Sequence, residues 1–261
     1  MEEKKIIDYS RTYRRIKADK TACAVYVIIL TLLAILLVWL FIGDLTGIVS
    51  GFCKDVLEKY VPSIHVSIKS ETHHFFGTIH YVSVPSVYPE MRFCLINAGC
   101  TLALILFCIF MPWRGRPLGI YLIMSATVHL INSLWFVFAG DYFPYTLTVY
   151  SKLYIFQEIG IWIMFFIMTV CVTGIVGNKG LLCKLATLCA VMLYSIVFGA
   201  VRYVVFLYLL HRFSMIYMAL FYFMLGPMFD FLYLVMIYAV FVNRMIRIYD
   251  ARKGKGEWKW S

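Results

Sequence analysis

Charge is what this chain has least of. Only 15% of its 261 residues are Asp, Glu, Lys or Arg, against 62% hydrophobic and 18% aromatic, and the mean hydropathy is +0.83. A soluble domain of this length does not have that composition, and apolar runs of 18 or more residues recur along it. Acid is scarcer than base, and the net charge of +10 would suit a nucleic-acid partner. The placement of the charge argues otherwise. Of 24 Lys and Arg, 17 fall in four segments: residues 1–20, Arg114 with Arg116, Lys179 with Lys184, and 244–259. Those are alternate loops of a six-span chain, so the positive-inside rule accounts for the pattern and puts both termini in the cytoplasm. Membrane lipid, not nucleic acid, is the partner this implies, and a basic tail adds attraction to anionic headgroups.

Signatures of chemistry are missing too. There is no P-loop, no HExxH, no GxSxG, no paired aspartates of an intramembrane protease, and no glycosyltransferase motif. No cofactor is implied. The eight cysteines include no CxxC and lie mostly in apolar runs, with Cys53 and Cys94 on the outer side, so they form no disulfide framework. The first 20 residues are charged throughout and the run after them is too long for a signal h-region, so no cleavable signal peptide is expected.

What is present is an all-α polytopic membrane protein with six transmembrane helices and a small extracytoplasmic part, an amphipathic helix plus a β-hairpin. Residues 1–21 read as a cytoplasmic, partly helical lead-in, and 22–43 as the first span, running in-to-out. Residues 44–92 form the one sizeable region outside the membrane. There Leu45, Ile48, Val49, Phe52, Val56 and Tyr60 recur at helical spacing with charges between them, which predicts a helix lying on the outer membrane surface. After Pro62 the period switches to two at Ile64, Val66 and Ile68, and a second extended run covers Thr78 to Val84. This predicts a hairpin packed on the first helix or on a partner. Its four histidines, His65, His73, His74 and His80, match no metal-ligand spacing and read as a polar strand face and turn, so no metal site is expected. Residues 93–243 hold a five-helix membrane core, with spans at about 93–111, 117–138, 153–177, 182–210 and 214–242. Residues 244–261 form a basic cytoplasmic tail that carries EWKW, Glu257 to Trp260, near its end.

Three ionisable residues sit where lipid should be: Glu158, Arg202 and Asp230. A charge at membrane depth is costly, so it is paired, cavity-facing or functional. At about 1.5 Å per residue, Glu158 and Arg202 fall together on the outer side of the midplane and Asp230 near the middle. An ion pair between Glu158 and Arg202 is one reading; the other has Arg202 snorkelling outward beside Arg212. Asp230 finds no partner within the chain on this reading, which points to a proton or ion path or to a partner in trans. His129 reads as a helix–helix hydrogen-bond donor, and Gly99, Gly160, Gly199 and Gly226 as close-packing positions. The sixth span is rich in aromatic residues and reads as a packing face for another membrane protein or for lipid.

The run FFGTIHYVSVPSVYPEMRFC, Phe75 to Cys94, resembles the approach to the catalytic cysteine of exosortases and archaeosortases. In that family an ectodomain segment enters a span at a cysteine, an NxxR motif follows, then a histidine with a nearby glycine. The three meet near the outer membrane face in a sorting transpeptidation. One register places Cys94, then NSLW (Asn132 to Trp135), then FQEIG (Phe156 to Gly160), with Trp135 where the arginine belongs and Phe156 where the histidine belongs. A second register places Glu158 at the cysteine position, GAVRY (Gly199 to Tyr203) at NxxR with Arg202 kept, and YFMLG (Tyr222 to Gly226) at the histidine motif with Tyr222 in its place. Neither register keeps the full triad, and a thiol nucleophile needs a base or cation beside it.

The resemblance implies an exosortase-like scaffold without its triad. The expected function is a non-catalytic accessory subunit of a larger membrane assembly in the cell membrane. Because exosortase-like proteins are associated with exopolysaccharide production, the partner implied is a polysaccharide-synthesising glycosyltransferase. The alternatives are a cysteine transpeptidase using Cys94 and a substrate-binding subunit of a transporter.

Overall fold

The computed structural model describes residues 14–16, 20–61, 64–110, 115–176, 180–250 and 258–260. Strand β1 (Arg14–Ile16) is followed by α1 (Lys20–Tyr60), the hairpin strands β2 (Ser67–His73) and β3 (Gly77–Ser83), and helices α2 (Met91–Phe110), α3 (Pro117–Ala139), α4 (Leu147–Ile175), α5 (Leu181–Phe213) and α6 (Gly226–Asp250), with β4 (Trp258–Trp260) last. Six helical segments are long and apolar enough to cross a membrane, and the fold is compatible with a multi-pass membrane protein. β1 and β4 pair antiparallel, with Arg14 opposite Trp260, so the segments before α1 and after α6 lie together, an arrangement compatible with an even number of crossings. Arg14–Ile16 is thus extended where the lead-in was expected to be partly helical. Most of the rest of that lead-in, residues 62–63, the loop segments 111–114 and 177–179, and residues 251–257 and 261 of the tail lie outside the described residues, while 244–250 continue α6.

The largest departure from the sequence reading is α1. It is one helix of 41 residues, about 60 Å long at 1.5 Å per residue, twice the hydrocarbon thickness of about 30 Å. The span over 22–43 and the helix over 45–60 are therefore one continuous element and not two. Gly43-Asp44 reads as a terminus, but the helix runs through it, because this stretch has tertiary partners: Thr46, Val49, Ser50, Cys53 and Leu57 are buried on its inner face. The glycine serves a contact, since a Cβ at position 43 would lie 3.1 Å from the Thr78 carbonyl oxygen.

That contact belongs to the hairpin, whose second strand is packed among helices. β2 starts at Ser67 and reaches His73, later and longer than the alternation at 64–68 implies, while Ile64 and Val66 are buried ahead of it. All of β2 is exposed, whereas Ile79 and Val82 of β3 are buried although they point to opposite faces. β3 is covered on both sides. Its edge away from β2 meets hydroxyls: the His80 N–H donates to Thr46 Oγ1 (3.3 Å), Ser50 Oγ donates to the His80 carbonyl (2.9 Å), the Val82 N–H donates to Tyr203 Oη (3.0 Å), and Thr148 Oγ1 donates to the Val84 carbonyl (3.4 Å). An edge strand buried against helices needs its backbone groups satisfied, and α1, α4 and α5 each supply at least one partner.

α4 and α5 form the centre. Thr146 caps α4 by accepting from the Val149 N–H at 3.2 Å, a standard N-terminal device. A continuous core joins the inner half of α1, the hairpin, α4, α5 and the segment after α5 through Val49, Cys53, Val82, Tyr154, Ile159, Tyr203, Leu207 and Phe221. After α5 the chain reverses at Ser214, makes a short 3-10 turn over Met215–Tyr217, and forms a π-helical turn over Leu220–Leu225 before α6. π-turns inside helices occur often at functional sites. This one ends at Gly226, beside Arg202.

Candidate functional site

Glu158, Arg202 and Asp230 come together in one buried cluster, each at most 4% exposed. Glu158 faces in from α4, Arg202 from α5 and Asp230 from α6, one turn beyond the π-helical segment. Arg202 Nη2 donates to Glu158 Oε1, and Nη1 lies 2.8 Å from Asp230 Oδ2. Nη1 also donates to the Gly226 carbonyl at 2.7 Å, and Nε donates to Tyr154 Oη at 2.8 Å. Each nitrogen of the guanidinium is engaged, which suits a planar five-donor group at a buried site. Tyr154 in turn donates to the Gly199 carbonyl at 3.0 Å, tying α4 to α5 one turn from the charges.

Arg202 therefore faces inward and does not snorkel. Asp230 is not without a partner in the chain, contrary to the sequence reading. The reason is helix length. α4 begins at Leu147, so Glu158 lies nearer the helix midpoint than a span over 153–177 places it. The long arginine side chain covers the offset that remains to Asp230.

The surroundings are aromatic and closely packed. The Tyr154 and Tyr203 rings stack at 4.9 Å, and the Arg202 guanidinium carbon sits 5.5 Å from the Tyr154 ring centre. Tyr203 Oη is 2.5 Å from Ser151 Oγ. Gly199 lies against the carboxylate of Glu158, where a Cβ would come within 2.5 Å of Oε2. Two carboxylate oxygens have no hydrogen bond among the described residues, Glu158 Oε2 and Asp230 Oδ2. The second sits at ion-pair distance from Arg202 but off the hydrogen-bonding direction.

The other candidates occupy separate places. Tyr222 reaches the cluster only indirectly: its carbonyl accepts from Gln157 Nε2 at 3.2 Å and its ring meets Tyr150 edge-on at 6.3 Å. Cys94 is fully buried at the start of α2, with no hydrogen bond or ion pair to its sulfur among the described residues. Its would-be activators are committed elsewhere, Arg202 as above and His211 Nδ1 within 3.1 Å of the Pro85 carbonyl. His129 Nε2 is 3.3 Å from Asn97 Oδ1, a contact from α3 to α2, and its ring stacks on Tyr217 at 4.9 Å. Trp135 is half exposed and lines a lateral groove of about 490 Å³ between α3 and the start of the sixth segment, with Asn132, Tyr145 and Phe223. Gly99 and Gly160 face open space and are not close-packing positions. No group of three His, Cys, Asp or Glu able to hold a metal occurs among the described residues.

Sequence reasoning missed Tyr154, Tyr203 and the Gly226 carbonyl. The first carried a signal: Tyr154 and Glu158 are four residues apart and so share a helix face. The arrangement as a whole clamps three helices through one cation. It offers no exposed nucleophile, and its carboxylates are enclosed by packed side chains. No protein-family model matches the chain, no curated protein is significantly similar to it, and no solved structure matches its fold at a significant level.

Proposed function

We propose that this chain is a non-catalytic integral-membrane subunit of a larger assembly in the cell membrane, oriented by its basic loops with both termini in the cytoplasm. By the resemblance to exosortase-like proteins, the assembly is one that makes or exports an exopolysaccharide, and the partner is a polysaccharide-synthesising glycosyltransferase. The observation that carries the non-catalytic reading is the enclosure of Arg202 among internal partners. In the second exosortase-like register, Glu158 and Arg202 occupy the positions of nucleophile and arginine. Here the two neutralise each other, and the remaining guanidinium nitrogens go to Tyr154, Asp230 and Gly226. A guanidinium buried in this way, with every nitrogen turned to an internal partner, is not presented to a substrate oxyanion, and Glu158 is no substitute for a thiolate.

The transpeptidase reading based on Cys94 gains no support, since among the described residues that thiol has no hydrogen bond or ion pair to a base or cation. A role in assembly is supported by the exposed apolar flanks. Trp39 on α1 is 64% exposed and Met236 on α6 is 70% exposed, each among further large apolar side chains. These flanks fit lipid or the helices of a second membrane protein.

The test is purification from native membranes in mild detergent, with mass spectrometry of what accompanies the chain. Stoichiometric recovery of a large membrane glycosyltransferase is the expected result. Recovery of the chain alone, with a covalent adduct on Cys94, would overturn the proposal.

A further inference from the structure

Two acids share one base in the buried cluster, and among the described residues no second cation pairs with either. The groups facing it are Tyr150 and Tyr154 from α4, Tyr203 from α5 and Tyr233 from α6, with Tyr222 of the π-helical turn behind Tyr150. All are neutral phenols at physiological pH. The α1 and hairpin groups beside Tyr203 are the Ser50 hydroxyl, the Cys53 thiol and the Val82 amide. Among the described residues no second Lys, Arg or His forms an ion pair with Glu158 or Asp230. With both acids ionised the cluster would hold a net negative charge at about 4% exposure or less. An uncompensated buried charge is among the costliest arrangements a fold can hold.

We propose that the Glu158–Arg202–Asp230 cluster is a binding site for a single proton, shared by the two carboxyl groups and retained at neutral pH. One proton makes the cluster neutral, and it belongs to the coupled pair, not to either residue. Geometry favours a proton over a metal cation. A hard cation needs about six oxygen ligands around it. Here the position between the two carboxylates is already filled by the Arg202 guanidinium, which would repel a second cation. The site is thereby distinct from the assembly role proposed above and stands whether or not a partner subunit exists.

The proton count gives the sign of the test. In the unfolded chain both carboxyls titrate at ordinary values near about 4, so above that pH the folded state binds one proton more than the unfolded state. Stability then falls as pH rises, by about tenfold in the folding equilibrium constant per pH unit. Glu158→Gln leaves a neutral Asp230–Arg202 pair, and Asp230→Asn leaves a neutral Glu158–Arg202 pair. Neither variant needs the proton, so each loses this slope.

The experiment measures reversible unfolding of the full chain in detergent micelles from about pH 5.5 to 8. Wild type should show the additional tenfold loss per pH unit relative to both amide variants, and the difference should not change with sodium or potassium concentration. Equal slopes in all three proteins would overturn the proposal, as would a slope that disappears when either cation is raised. Should the variants not fold, the infrared carbonyl band of a protonated carboxyl in wild type at pH 8 decides: its presence supports the proton site and its absence overturns it.

Discussion

Gly199 on α5 and Glu158 on α4 meet with no space between them, so the carboxylate occupies the place a side chain at 199 would need. Gly199→Ala forces the Glu158 carboxylate off Arg202, at an overpacking cost of about 1–3 kcal/mol. The gain in helix propensity, about 0.5–1 kcal/mol, opposes this but is smaller. Gly160 is the control. It lies in the same region of α4, faces open space, and Gly160→Ala should leave stability unchanged or raise it. Unfolding midpoints of the two variants check the contrast. Equal effects would mean that the contact at Gly199 does not matter.

Tyr203 connects the membrane helices to the hairpin. Its hydroxyl accepts from the Val82 N–H and bonds Ser151, and Val82 is fully buried. Tyr203→Phe keeps the ring stacked on Tyr154 but leaves a buried amide without an acceptor, a loss of about 1–3 kcal/mol. Hydrogen exchange reads it directly. The Val82 amide should lose protection in the variant well before the amides of α4 do. Unchanged exchange at Val82 would show that the amide finds another acceptor.

Hydrophobicity along a chain tells which residues enter a membrane, but not the direction a side chain faces around its helix. The six apolar runs were accordingly legible, and so was the possibility that Glu158 and Arg202 meet, since both appear at one depth. Asp230 was not placed with them. Its depth depends on where each helix begins, and the π-helical turn at Leu220–Leu225 has no composition signal in an aromatic-rich run. Gly43-Asp44 resembles a helix end, and only the packing of Thr46, Ser50 and Cys53 under β3 shows why α1 continues. The tyrosines counted as apolar bulk, yet their hydroxyls hold Arg202 and the edge of β3. That role becomes visible only when a second element is brought against the first.

Glu71 on β2 binds Lys152 on α4, with Oε1 accepting from Nζ at 2.7 Å. The hydrogen bond from Lys152 holds the Glu71 carboxyl below its ordinary value, with weaker help from Tyr81 and His73. A carboxyl lowered in the folded state contributes stability above its unfolded value, and that contribution disappears as pH falls through the folded value. The contact is exposed, so the effect is local and weakened by salt. In Lys152→Met, the Glu71 titration followed by NMR should move up toward that of a free carboxylate. No movement would assign the shift to the other groups on the strand face.

Ser214 is the one non-glycine residue with positive φ among the described residues, at φ 121° and ψ 169°, a region that essentially only glycine enters freely. It is held there from several sides. Its N–H donates to the Leu210 carbonyl (3.1 Å), the next N–H donates to the Val87 carbonyl (3.0 Å), and Asn132 Nδ2 donates to the Ile216 carbonyl (2.6 Å). The hydroxyl contributes only a long contact, accepting from the Ile216 N–H at 3.4 Å. Such a backbone costs about 1–3 kcal/mol, more than a hydrogen bond of that length returns. Ser214→Gly should therefore raise the unfolding temperature by a few degrees, in line with about 1 kcal/mol for a chain of this size. Ser214→Ala keeps the strained backbone, loses the hydroxyl, and should lower it slightly. If both variants lower it equally, the hydroxyl and not the backbone governs the turn, and the strain at the α5 reversal is not a reservoir the fold has to offset.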